Sequence, residues 1–139
     1  MELSRHTIRE KAVQALFSME FNTQLSQQEA LVFALSYDQE AIAEIDPYLA
    51  EIVAGVCDNK EQIDQLIATH LKRWTINRLP RLDLTIMRVA VYEMMTSEDM
   101  PLVIAIDEAI QLAKTYSDDK SRRFINAVLA NIKNELTEA

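Results

Sequence analysis

Two short clusters in this 139-residue chain combine side chains suited to holding an anion. Near the start, Arg5, His6 and Arg9 gather cationic groups at the opening of a helical segment. Arg5 and Arg9 are four residues apart and so share a face, close to the free amides of a helix N-terminus. Near the end, Lys120, Arg122 and Arg123 stand directly before Phe124 and an apolar stripe of Ile125, Val128, Leu129, Ile132 and Leu136. At about 100° per residue, Phe124 falls on the border of that stripe and Arg123 points nearly opposite it. An aromatic ring beside cations can stack on an unpaired base while the charges meet phosphates. The same residues also suit a phenylalanine at the core edge beside a solvated helix end, which is the commoner arrangement. Likewise Arg5 and Arg9, with Glu2 and Glu10 nearby, suit surface ion pairing.

Other chemistry finds little support. His6 and His70 have no companions at metal-ligand spacing, and Cys57 is the single cysteine, which excludes a disulfide and a cysteine-rich zinc site. Asp107-Glu108 and Asp118-Asp119 are adjacent, so on a helix their carboxylates diverge by about 100°. No nucleophile motif, phosphate-binding loop or dinucleotide fingerprint occurs. The six methionines suit gap filling, and Trp74 suits a core anchor. The expectation is a protein without catalysis, cofactor or metal.

The elements that must position these clusters are helical. Glycine occurs once, at Gly55, and no stretch alternates apolar and polar residues between turn pairs, so hairpins are not expected. With 49% apolar residues the chain suits one well-filled all-α domain over residues 1–139. About seven helices are expected. The first helix runs from about Ser4 or Thr7 to Phe21; Thr7 to Glu10 and Ser26 to Glu29 fit capping boxes for the first two, the second helix turning Leu31, Leu35 and Val32 inward. Asp46-Pro47 opens the third, and Asp58 to Glu61 caps the fourth. Leu79-Pro80 marks a break before a fifth helix, about 82–96, apolar around much of its circumference and therefore central. Pro101 opens the sixth, and "SDDKS" separates it from the last. No leader-like start and no apolar run of membrane-spanning length occurs, which points to the cytoplasm.

Net charge is −8, unevenly spread. Residues 20–69 hold ten acids against Lys60, whereas residues 70–88 hold Lys72, Arg73, Arg78, Arg81 and Arg88 against Asp83. Such asymmetry permits local basic faces on an acidic body.

Four stretches, in order along the chain, carry a resemblance. "REKAVQALF" (9–17), "WTINRLPRLDLTIMRVAVYEM" (74–94), and "PLVIAIDEAIQLAKTY" running into "SDDKSRRFINAVLANI" (101–132) resemble the NusB family of bacterial transcription antitermination factors. The resemblance implies an all-helical fold of two packed helical subdomains. It implies binding of the boxA element of nascent RNA together with NusE, a small-subunit ribosomal protein. NusA, NusG and RNA polymerase would complete the assembly that suppresses termination in ribosomal RNA operons. It assigns RNA contact to Arg5, His6 and Arg9 and to Lys120, Arg122, Arg123 and Phe124. It assigns NusE contact to Asn77, Arg81 and Asp83. Thr7 and Ile8 thin the N-terminal arginine run, Asp107 and Ala127 replace a usual asparagine and glycine, and Lys120 stands where an acid is common. Ala127 implies a slightly altered close approach between helices.

Two other readings fit the same residues. The domain could act mainly as a protein-interaction module, with RNA held by the partner. NusB-like domains also precede some ribosomal RNA cytosine methyltransferases, so a chain ending at Ala139 could be catalytic only as a fragment.

Overall fold

The computed structural model describes residues 3–36, 45–73, 75–98 and 100–138. Glu2 and Trp74 lie outside them. Seven α-helices and one 3-10 turn make up the regular structure of the described residues, which contain no strand.

Local chemistry sets most helix ends. Ser4 caps α1 (Arg5–Phe21), its Oγ accepting the Thr7 amide at 3.1 Å. The capping box expected at Thr7 and Glu10 therefore does not form, because the helix starts earlier and Glu10 is engaged elsewhere. The box at α2 (Gln27–Ser36) does form: the Ser26 amide donates to Glu29 and the Glu29 amide to Ser26 Oγ, each at 3.0 Å. Asp46 accepts the Tyr48 amide at 2.8 Å ahead of α3 (Pro47–Asp58), with proline in the first turn where its missing N–H costs nothing. Asp58 does not cap α4 (Lys60–Thr69). It ends α3, and Asn59 forms the joint, its Nδ2 donating to the Gly55 carbonyl at 2.8 Å.

A 3-10 turn at Ile76–Arg78 leads into α5 (Arg81–Thr96), then α6 (Leu102–Tyr116) after Pro101, and α7 (Asp119–Glu138). Every residue of α5 from Asp83 to Met94 is buried. It packs on α1, α3, α4, α6 and α7, which is the central place its all-round apolarity predicts. Helices α1, α2 and α3 also pack on one another, as do α6 and α7. Where α3 meets α5 the Tyr92 ring lies directly on Gly55: a Cβ there would overlap it. Val32, expected inside, is exposed. Ala127 is exposed too, so the alanine there bears on no close helix approach.

Charged side chains lie within this core, each with partners. Arg88 donates to both oxygens of Asp64, at 2.8 and 2.9 Å, and also pairs with Glu20. Burial acts to lower the Arg88 pKa, but the bonds to the two carboxylates outweigh it and hold the guanidinium charged. Among the described residues no helix is long and apolar enough to cross a membrane.

Candidate nucleic-acid interface

The first cluster divides when the chain folds. Arg5 and His6 are exposed in the first turn of α1, while Arg9 is only 4% exposed. Arg9 Nε donates to Glu93 Oε1 at 2.7 Å and its Nη2 to Glu93 Oε2 at 3.0 Å. Glu108 Oε2 lies 3.9 Å from its Nη1. Burial pulls the Arg9 pKa down, yet Glu93 more than compensates and the net direction is up. Arg9 is thus a core cation in a paired network, which corrects its reading as a surface phosphate contact. Arg5 and Arg9 do share a face, as their spacing requires. That face is turned toward α5 at Arg9 and overhangs α3 at Arg5, whose guanidinium carbon sits 4.0 Å from the centre of the Tyr48 ring. His6 Nδ1 lies 2.9 Å from Glu108 Oε2 on α6.

The second cluster is organised by the start of α7. Asp118 accepts the Ser121 amide at 2.8 Å and so caps the helix, and that backbone bond holds its carboxyl below the usual range. The segment expected to separate the last two helices therefore already contains the first turn of α7. Lys120 and Arg123 are exposed and three residues apart, hence on one face. Arg122 is ion-paired with Asp119 in its own first turn, which leaves less of its charge for a ligand. Phe124 is half-buried and packs against the core, at the border position its phase predicts.

Helix α6 connects the two clusters. His6 faces Glu108, Gln14 Nε2 donates to the Tyr116 hydroxyl at 3.1 Å, and that hydroxyl donates to Glu10 at 3.0 Å. Numbering rises along both helices, so α6 runs beside α1 in the same direction. His6 and Gln14 are separated by about 12 Å of helix rise. Because α6 ends at Tyr116 and α7 begins at Asp119, the α7 start lies at the Gln14 end of this seam. Tyr116, an exposed aromatic at the α7 end of this seam, is a residue that sequence reading missed. Its position at the end of an amphipathic helix was visible in "AKTY", but its neighbour α1 was not.

Of the residues expected to meet a partner protein, Asn77 is exposed on the 3-10 turn. Arg81 is half-buried and donates to the Ile76 carbonyl and, at 3.2 Å, to that of Leu79. Asp83 is 3% exposed and accepts the Ser117 hydroxyl at 2.8 Å. Asp83 is therefore an internal tie from α5 to the joint between α6 and α7, not a surface contact. Through Ser117 it helps set where α7 starts. Among the described residues no group of three histidine, cysteine or acidic side chains could hold a metal ion.

Comparison with known proteins places the chain among relatives of one family. A family described as the NusB family matches residues 6–134. A transcription antitermination protein NusB from Enterococcus faecalis is 44% identical, covering 97% of this chain and 92% of that protein. One from Bacillus subtilis is 39% identical, covering 99% and 100%. Among solved structures, T. maritima NusB superposes with a TM-score of 0.86 at 31% identity, over 97% of this chain and 94% of that one. A structure of antitermination factors NusB and NusE in complex with double-stranded RNA shares the fold, with a TM-score of 0.81 at 22% identity over 94% and 96%. A family match over residues 6–134, and relatives that align with it nearly end to end, mean that the chain belongs to the NusB family of transcription antitermination proteins, a family without enzymatic activity.

Proposed function

We propose that this protein suppresses transcription termination by binding the boxA element of nascent ribosomal RNA together with NusE, in the cytoplasm. The observation that carries the reading is the α1–α6–α7 seam. Two cationic helix starts stand at its ends, with Phe124 at the edge of the core and Tyr116 beside the α7 start. A short single strand can bridge such a span, its phosphates meeting Arg5, His6, Lys120 and Arg123 and a base stacking on Phe124. Net charge of −8 does not oppose this, because screening over about 8 Å at physiological salt makes the local cations dominate at the contact. The acidic remainder disfavours indiscriminate nucleic-acid binding.

NusE would dock at the 3-10 turn and the start of α5, where Asn77 and the exposed part of Arg81 are available, while Asp83 supports that corner from inside. NusA, NusG and RNA polymerase would join the pair in the larger assembly. The deciding experiment titrates labelled boxA RNA and a scrambled RNA with this protein, alone and with NusE. Preference for boxA in the presence of NusE is expected. Equal binding of both RNAs by the pair would sink the reading.

A further inference from the structure

Arg5 belongs to a chain of contacts that runs from the surface into the core. Its guanidinium carbon lies 4.0 Å from the centre of the Tyr48 ring, the geometry of a cation held over an aromatic face. The Tyr48 hydroxyl donates to Glu93 Oε2 at 2.6 Å, and Glu93 is held through both its oxygens by Arg9. Tyr48 itself stands directly after Pro47 in the first turn of α3, its amide bonded to Asp46. Thus the ring beneath Arg5 is fixed at its backbone and at its hydroxyl.

This arrangement differs in kind from an ion pair. A carboxylate partner would occupy the N–H donors of Arg5 and cancel its charge, whereas a ring occupies only the flat face of the guanidinium. The donors lie in the guanidinium plane and remain free for phosphate oxygens. Among the described residues no carboxylate lies within ion-pair distance of Arg5, unlike Arg9, Arg88 and Arg122.

We propose that Tyr48 is a positioning residue for nucleic-acid binding: its anchored ring holds the Arg5 guanidinium in place with its N–H donors free for an RNA phosphate. The inference rests on the reading of Arg5 as an RNA contact. It also gives the buried Arg9 an indirect part in the interface, through Glu93 and Tyr48.

A double-mutant cycle tests it, with labelled boxA RNA and NusE at fixed salt and with thermal melts of each variant to confirm folding. Tyr48→Leu is expected to weaken binding roughly two- to fivefold, the range of an exposed cation–π contact. In an Arg5→Ala background the same substitution should have no further effect, because the group it positions is gone. Tyr48→Phe, which keeps the ring, should bind closer to the parent than Tyr48→Leu does. Equal losses from Tyr48→Leu in both backgrounds, or equal losses from the leucine and phenylalanine variants, would overturn the positioning role alone. An Arg5→Ala variant that binds like the parent would instead overturn the assignment of Arg5 to RNA, and the inference with it.

Discussion

Arg9 and Glu93 meet in parallel fashion, two N–H groups of one side chain on two oxygens of the other, 84 residues apart in sequence and both nearly sealed from solvent. Glu93 also accepts the Tyr48 hydroxyl, so one carboxylate ties α1, α3 and α5 together. Removing one member of a buried pair leaves the other charge without compensation, at about 3–5 kcal/mol. Arg9→Ala should therefore lower unfolding free energy by about that amount in urea titration. Replacing both members by apolar residues of similar volume, Arg9→Met with Glu93→Leu, should cost less than Arg9→Ala alone. A double variant that is less stable than the single one would contradict this account.

Gly55 tests the contact between α3 and α5. Glycine in a helix interior ordinarily costs about 1 kcal/mol relative to alanine, so Gly55→Ala would be stabilising if space allowed. Here the new methyl group would collide with the buried ring of Tyr92. Overpacking of about 1–3 kcal/mol outweighs the propensity gain, and the melting temperature should fall. Adding Tyr92→Leu should recover part of the loss.

Alkaline titration should expose Tyr48. Burial first, and then its bond to Glu93, push the phenol from 10.0 up to about 12. The folded state therefore holds this proton more tightly than the unfolded chain does. The associated stability is intact below pH 10 and lost as pH rises from about 10 to about 12. Comparing stability against pH for the parent and Tyr48→Phe should show a steeper alkaline fall in the parent. Phenolate absorbance should show one tyrosine fewer ionising near 12 in the variant.

At the proposed interface, phosphate and base contacts separate by salt. Arg123→Ala should weaken boxA binding and reduce the slope of log affinity against log salt by about 1. Phe124→Ala should weaken binding by about 1–3 kcal/mol with little change in slope, as expected for a stacked base. Arg122→Ala, whose side chain already pairs with Asp119, should change the slope less than Arg123→Ala does. If the order of the two arginines is reversed, Arg122 is the one that leaves its partner for RNA.

Legibility in the sequence followed the range of the interaction. Ser26 with Glu29 and Asp46 with Pro47 announced helix starts because a cap is made by residues two or three apart. The capping box at Thr7 failed for the same local reason, since Ser4 caps the helix one turn earlier. Phe124 was placed at the border of its stripe because helical phase alone fixes that angle. Tyr116 was missed because its value lies in standing next to Glu10 and Gln14, across the α1–α6 seam.

By itself the sequence determined that the chain is helical, that α5 is central, and that cations gather at two helix beginnings. These follow from composition, from a 3.6-residue period and from capping chemistry, all properties of a few neighbouring residues. Only the tertiary structure decided which cations remain outside. Periodicity says that Arg9 and Asp83 lie on particular faces, but it does not say that Glu93 and Ser117 wait opposite them. A buried charge is tolerated when a distant partner and its bonds replace the water it loses, and that partner is supplied by folding rather than by spacing.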